Sequence, residues 1–266
     1  MSGTEETVIA RLKGSVLWIT LNRPRVLNAF DESMGRALQN TLSEAGTNDM
    51  VRAVVLTGSG RAFSVGEDLA TNRRQYESGE RLNLERTLKE KYNPIISGIR
   101  NLPKPVIAAI NGVVAGAGLG IALACDLRVA SDKSSFHTAF IKVALAPDSG
   151  TAYWLVKIVG LTKATEYLFL ADPLDARTAL DTGLVNWVFP DQTFLDEVQR
   201  IADKIARGPT KALGLTKMAL NKALYSDLQS MLDYEARLQQ EAAETHDHRE
   251  GVSAFFEKRE PVFQGR

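Results

Sequence analysis

KPVIAAINGVVAGAGLGIALACD, residues 104–126, decides how the rest of the chain is read. Residues 106–125 carry no charge, a length at which a membrane helix has to be considered. Gly112, Gly116, Gly118 and Gly120, together with Asn111, argue against one. VIAAI at 106–110 is bracketed by Pro105 and reads as a strand buried on both faces. That leaves a glycine-rich turn and then a short helix of small residues, 117–124, before the charge returns at Asp126.

The same grammar recurs on both sides. Upstream, AVVLT (53–57) is a buried strand ending at Gly58, and 8–12 and 16–22 are strands joined across Lys13-Gly14-Ser15 as a hairpin. Between them Asp31 is placed to cap a helix whose Met34, Leu38, Leu42 and Ala45 share one face. Downstream, 127–130 and 185–189 read as strands and 151–159, 163–170 and 175–182 as helices, the last stopped by Gly183. Strands alternating with helices make the fold class α/β, with no repeat of fixed period. From about Phe194 the strands stop. This divides the chain into a core, 1–193, and a helical C-terminal region, 194–266, broken at Gly208-Pro209, at 245–249 and at Pro261. Such a region has no sheet of its own to cover, and Val252, Phe255, Phe256, Val262 and Phe263 are apolar, so it is expected to pack on the core or on another subunit.

Composition narrows the function classes. Among 266 residues, 44% are hydrophobic and 24% charged, with Lys+Arg and Asp+Glu both 32, so the basic footprint of a nucleic-acid or membrane-surface binder is missing. Cys125 stands alone and cannot form an internal disulfide. The first residues are acidic where a targeting peptide is basic, and the expected location is cytoplasmic.

The glycine cluster follows a strand and opens a helix, but dinucleotide spacing fails: G-x-G-x-x-G counted from Gly116 lands on Ile121, and from Gly118 on Leu123. Neither GxxxxGK[ST] nor GxSxG occurs. His246 and His248, with Glu244 and Asp247, stand in a polar break between helices that reads as a solvated loop, so no metal is expected. His137, beside Phe136, reads as a satisfied core histidine. What the glycines supply is backbone N–H groups at a helix start with no Cβ in a ligand's way. A second small-residue turn, Phe63-Ser64-Val65-Gly66-Glu67-Asp68, follows the earlier strand, and two such turns could aim two N–H groups at one carbonyl oxygen.

These residues carry a resemblance over almost the whole chain. Leu21-Asn22-Arg23-Pro24 followed by Leu27-Asn28-Ala29-Phe30, the turn from Ala62 and Phe63 to Gly66, Asp68 and Leu69, the segment Lys104 to Gly112, the glycine cluster leading to Cys125-Asp126, and Phe256-Glu257-Lys258-Arg259 resemble the enoyl-CoA hydratase/isomerase (crotonase) family. The resemblance implies a spiral of ββα units with a helical C-terminal region, assembled as homotrimers or hexamers. It implies an acyl-CoA thioester substrate, coenzyme A being part of the substrate and no cofactor being needed. The thioester oxygen would accept from the backbone N–H groups of Glu67 and Ala117. Ala62, Phe63, Val65, Gly66, Asp68, Leu69, Gly116, Gly118, Gly120 and Phe140 would line the substrate, and Arg25 and Lys258 would meet the CoA phosphates.

Where the sequence departs from the family's hydratases is informative. They activate water with two glutamates, and the matching positions here are Gly120 and Phe140, neither of which can move a proton. A carboxylate stands nearby at Asp148, in Leu145-Ala146-Pro147-Asp148-Ser149-Gly150. From position alone it is a helix N-cap. Isomerases of the family can carry their single acidic base in this loop, and 112–118 with 147–150 are similar to the ring-epoxide/enoyl-CoA isomerase branch of phenylacetate catabolism. The reading is therefore an enoyl-CoA isomerase with Asp148 as acid/base, its proton affinity raised by burial beside Phe140 and Leu145. Glu67 is a second candidate carboxylate, whose side chain otherwise lies on the surface or pairs with an arginine. A hydratase or lyase with a rearranged site, and a non-catalytic acyl-CoA-binding protein, are the alternatives. Residues 70–93, with Arg73, Arg74, Arg81 and Arg86, read as a mobile, solvated cover.

Overall fold

The computed structural model describes residues 6–71, 73–79 and 81–266; the first five residues, Asn72, Glu80 and the side chains of Arg74, Gln75 and Tyr76 lie outside the described part. The amino-terminal hairpin is β1 (Val8–Lys13) and β2 (Val16–Leu21), followed by α1 (Glu32–Thr47), whose N-cap Asp31 accepts from the Met34 N–H. Then come three turns of one spiral. Each contributes a long strand and a short one: β3 (Ala53–Gly58) with β4 (Ala62–Ser64), β5 (Val106–Ile110) with β6 (Val113–Ala115), and β7 (Leu127–Ser131) with β8 (Ser135–His137). The long strands join a six-stranded sheet in the order β1-β2-β3-β5-β7-β10 and the short ones a four-stranded sheet in the order β4-β6-β8-β9, where β9 is Leu174–Asp175 and β10 Trp187–Phe189. Among the described residues only the β1–β2 and β8–β9 pairs are antiparallel.

Helices α2 (Arg73–Ser78), α3 (Leu84–Thr87) and α4 (Asn93–Asn101) lie between β4 and β5, and α5 (Ala117–Ala124) follows β6. After β8 comes α6 (Thr151–Leu170), broken at Gly160, whose φ of +78° is not helical, so the two helices expected at 151–159 and 163–170 stand on either side of it. Next is α7 (Ala176–Asp181), capped by Asp175, which accepts from the Thr178 N–H. The remaining helices are α8 (Phe194–Ala206), α9 (Thr210–Ala223), α10 (Leu228–Ala243) and α11 (His246–Glu257).

β5 is wholly apolar and β3 nearly so because both faces of their sheet are covered. On β3 and β5, Val54, Leu56, Val106, Ala108 and Ile110 join the main core with α1, α4 and α5, while their alternate neighbours Ala53, Val55, Ile107 and Ala109 face the other way. That second face is closed by Phe194, Val198, Ala202 and Ala206. So the helical region does have sheet to cover: α8 lays a stripe of residues four apart on it. Farther on, Phe255, Phe256 and Val262 are exposed, at 78%, 76% and 72%. Among the described residues no helix is long and apolar enough to cross a membrane.

Candidate active site

The turn after β4 is laced to the end of the hairpin. Asn28, buried and in left-handed conformation, donates from Nδ2 to the Ser59 and Ala62 carbonyls, and its own carbonyl accepts from Ser64 Oγ. Phe30 N–H donates to the Gly66 carbonyl at 2.7 Å and Asp68 N–H to the Phe30 carbonyl at 3.0 Å. Arg23 completes the lacing with Nη1 2.9 Å from the Asp68 carboxylate and Nη2 3.3 Å from that of Asp31. Asp68 is thereby occupied in holding the turn, with Ala62 and Phe63 buried behind it and Leu69 exposed beyond it.

This places Gly66 and Glu67 against the start of α5. Gly66 has φ +86°, and a Cβ there would stand 3.0 Å from the Ala117 nitrogen and 3.1 Å from the Ala115 oxygen, so only glycine lets the two turns meet. Gly116, with φ +53°, occupies the N-cap position of α5 and donates to the His137 carbonyl. No acceptor among the described residues takes the Ala117 N–H. Two turns that the sequence separates by fifty residues' distance, 66–67 and 116–117, are thus in contact, as an arrangement for gripping one oxygen with two N–H groups requires.

Asp148 stands in the loop before α6, near enough to Glu67 to feel its charge. The expectation that it caps this helix is overturned. Gly150 occupies the N-cap, with Ser149 at φ +52° and Gly150 at φ +73°, and the Asp148 carboxylate instead accepts from Ser149 Oγ at 2.8 Å. Only its backbone carbonyl serves the helix, accepting from Thr151 N–H. The loop rests directly on α5: a Cβ on Gly120 would lie 2.5 Å from the Ser149 oxygen and 2.7 Å from its Cβ. Burial holds the Asp148 carboxyl above the ordinary carboxylate range, the Ser149 hydroxyl pulls it back, and the Glu67 charge pushes it further up. Phe140 is buried in the neighbouring turn, whereas Leu145, expected to help bury Asp148, is itself 36% exposed.

The Glu67 carboxylate is held from the segment just before α4. Its two oxygens both lie 3.0 Å from Lys91 Nζ, and Oε2 accepts from the Tyr92 hydroxyl at 2.5 Å. Lys91 is 4% exposed and Tyr92 2%, so the end of the stretch expected as a solvated cover is core. Arg73 and Arg86 earlier in it do keep to the surface, paired with Glu77 and Glu90. Sequence reasoning missed Lys91 and Tyr92 altogether. A Tyr preceding the apolar stripe Ile95 and Ile99 of α4 was the available signal.

A family model described as enoyl-CoA hydratase/isomerase matches residues 11–266. The chain belongs to the enoyl-CoA hydratase/isomerase family. It is 42% identical over 248 residues to a probable enoyl-CoA hydratase of Rhodobacter capsulatus, covering 93% of this chain and 94% of that one. It is 38% identical over 261 residues to the 1,2-epoxyphenylacetyl-CoA isomerase of Escherichia coli (strain K12), covering 98% and 99%. A crystal structure of a putative enoyl-CoA hydratase/isomerase from Mycobacterium abscessus superposes with a TM-score of 0.92 at 36% identity, over 97% of this chain and all of that one. The fold is accordingly the crotonase spiral with its helical C-terminal region.

Of the remaining candidates for this enoyl-CoA hydratase/isomerase, Arg25 is exposed on the 3-10 turn Pro24–Val26 and borders a surface cavity of about 480 Å³ with Thr7, Asn22 and Arg23. Lys258 is exposed at the left-handed C-cap of α11. Among the described residues neither forms an ion pair. His246 and His248 lie in the first turn of α11, not in a loop, and Asp247 beside them is buried, accepting from the Gln264 and Gly265 N–H groups. No group of three or more potential metal-ligating side chains occurs among the described residues. His137 Nε2 meets Ser135 Oγ at 2.9 Å, and burial lowers the ring's proton affinity.

Proposed function

We propose that this member of the family is an acyl-CoA double-bond isomerase working through a thioester enolate, of the 1,2-epoxyphenylacetyl-CoA isomerase type. The N–H groups of Glu67 and Ala117 bind the thioester oxygen, which acidifies the neighbouring carbon and stabilises the enolate formed when its proton leaves. Asp148 takes that proton and returns it two carbons away, so no water is consumed and one base suffices. Val65, Gly66, Leu69, Gly116 and Phe140 stand around the acyl group, with the expected Ala62 and Phe63 buried behind the turn and Gly118 packed on Ser64 instead, and Arg25 and Lys258 meet the CoA phosphates. Coenzyme A belongs to the substrate, and the mechanism uses no metal or redox cofactor.

The observation that carries this reading is the Asp148 loop. A half-buried carboxylate that does not cap the helix after it stands in a loop whose Ser149 packs on Gly120 of α5, with its pKa raised towards the range in which it can both accept and donate. The two positions at which hydratases of the family carry glutamates hold Gly120, against which the Ser149 backbone is packed, and Phe140. A hydratase reading draws on the R. capsulatus relative. It would have to activate water with Glu67, whose carboxylate is already engaged by Lys91 and Tyr92. We further assign the exposed Val252, Phe255, Phe256 and Val262 to contacts between subunits of a homotrimer or a dimer of trimers, the role of the region 194–266, and the protein to the cytoplasm.

The test is a panel of 2-enoyl, 3-enoyl and ring-epoxidised aryl-acyl-CoA thioesters read by mass and ultraviolet spectrum. Isomerisation changes the spectrum at constant mass, hydration adds the mass of water, and bound but unchanged thioester leaves only a binding protein.

A further inference from the structure

The enolate mechanism uses the backbone of Glu67 and leaves its side chain unexplained, along with a lysine buried beside it. Lys91 Nζ, 4% exposed, lies 3.0 Å from both Glu67 oxygens and 3.0 Å from Glu32 Oε1. Its stem passes over Gly35 of α1, where a Cβ would meet Lys91 Cγ at 2.6 Å, and its carbonyl accepts from Gln39 Nε2. The ammonium therefore cannot swing away, and it joins the turn carrying Gly66 and Glu67 to α1 and to the segment ahead of α4. Tyr92 adds a second hold on the same carboxylate, 2.5 Å from Oε2.

Burying a lysine is unfavourable unless its charge is matched, so a bridge of this kind needs good geometry to be maintained. What it delivers here is a fixed direction for Glu67's own N–H, which belongs to the Gly66–Glu67 peptide unit. An oxyanion donor is useful only when it is aimed before the charge develops. On the other side of the turn Arg23, Asp31 and Asp68 grip the residue after Glu67, and Phe30 N–H holds the Gly66 carbonyl of the same peptide plane, so the Lys91 bridge fixes that plane from its second, Glu67, end.

We propose that Lys91, assisted by Tyr92, is a positioning residue: its buried ammonium clamps the Glu67 side chain and thereby aims the Glu67 N–H at the thioester oxygen. The proposal rests on the assignment of that N–H to the oxyanion hole. It carries a second consequence: Lys91 and Tyr92, from the segment before α4, face the Glu67 carboxylate, Glu32 meets Lys91, and Asp148 feels the Glu67 charge from across the site. Removing the ammonium takes one positive charge from beside Glu67, opposite Asp148, and moves the acidic limb of the rate profile to higher pH.

The experiment measures carbonyl polarisation without turnover, as the red shift of a conjugated aryl-acryloyl-CoA on binding, beside kcat, KM and the pH profile. Wild type, Lys91→Met, Lys91→Arg, Glu67→Gln, the Lys91→Met/Glu67→Gln double variant and Asp148→Asn are compared. Lys91→Met is expected to lose most of the shift and about tenfold or more in kcat, with KM changed far less, since misplacing a catalytic group by about 1 Å can cost about 10²-fold. Lys91→Arg restores most of the shift. The double variant recovers part of the activity and returns the acidic limb towards wild type, because both charges are gone together. Asp148→Asn keeps the shift while losing turnover. A Lys91→Met protein with wild-type shift, kcat and limb overturns the proposal and leaves the oxyanion assignment standing. If Lys91→Met does not fold, failure of both Lys91→Arg and the double variant to keep the shift overturns it. No shift in wild type refutes the oxyanion assignment itself.

Discussion

Asp148→Asn separates the two roles this residue could have. The substitution keeps an oxygen for the Ser149 hydroxyl, bonded to Asp148 Oδ1 at 2.8 Å, and keeps the backbone carbonyl that accepts from Thr151 N–H. Exchanging a charge-assisted hydrogen bond for a neutral one costs about 1 kcal/mol. Against that stands a relief. Burial and the Glu67 charge raise the Asp148 pKa in the folded state. The native protein therefore holds this proton more tightly than the unfolded chain, and the contribution to stability, whole below the unfolded value of about 3.9, is lost as pH rises through the raised folded value. A neutral asparagine escapes that loss at pH 7. The two effects oppose, and Tm should stay within about 4 °C of wild type, the shift that ~1 kcal/mol produces in a domain of this size. Relative to wild type, the variant should therefore look better at neutral pH than at pH 3. Activity should behave otherwise. A general acid–base group contributes about 10²- to 10⁴-fold, or ~3–5 kcal/mol of barrier, and turnover of a 3-enoyl-CoA or a ring-epoxidised aryl-acyl-CoA should fall by that much while thioester binding changes a few-fold at most. The assay follows the conjugated thioester by its ultraviolet band and Kd by titration. In wild type the acidic limb of kcat/KM should lie above the ordinary carboxylate range. Retained turnover in Asp148→Asn would refute the assignment, and retained turnover there with loss in Glu67→Gln would move the base to Glu67.

Hydration of crotonyl-CoA should be slow or absent, since each missing carboxylate removes a factor of about 10² to 10⁴; hundreds of turnovers per second would overturn the reading of positions 120 and 140. Gly120→Ala should destabilise the fold by about 1–3 kcal/mol and lower kcat, because its Cβ would stand 2.5 Å from the Ser149 oxygen and must push the Asp148 loop aside; wild-type Tm and kcat would show that the loop is not seated there. Light scattering at micromolar concentration should give a trimer or hexamer, and a monomer would mean that Phe255, Phe256 and Val262 stay in water.

Much of this architecture was legible because local signals agreed. VIAAI matches β5 residue for residue, and 117–124 matches α5, since Pro105 and Asn111 bracket one and the glycines the other. The Asp31 cap and the face of α1 followed from spacing alone. The cap reading of Asp148 failed because Ser149 and Gly150 both adopt left-handed geometry, which carries the chain on before the helix begins and leaves the carboxylate outside it. Lys91 and Tyr92 were illegible for a different reason: nothing local couples residue 91 to residue 67, and a lysine among charged neighbours looks like surface until the fold brings a carboxylate to it. The seating of α8 was written in the sequence, as Phe194, Val198 and Ala202 at intervals of four, but its partner face is the set of alternate residues on strands already explained by the other core.

Gly120 and Asp148 have to be considered together. In a site that adds water, position 120 is where a carboxylate would stand. Here the space a side chain would need is filled by the backbone oxygen and Cβ of Ser149 and by Thr151 Oγ1, all within 2.9 Å of where a Cβ would be. The missing carboxylate and the present one are therefore linked through packing: the glycine that removes the first admits the loop that brings the second. Putting glutamate at 120 alone would not rebuild a water-activating site, because it would first displace the loop on which Asp148 depends. Any conversion between the two chemistries in this chain has to change 120 and 148–151 as one unit.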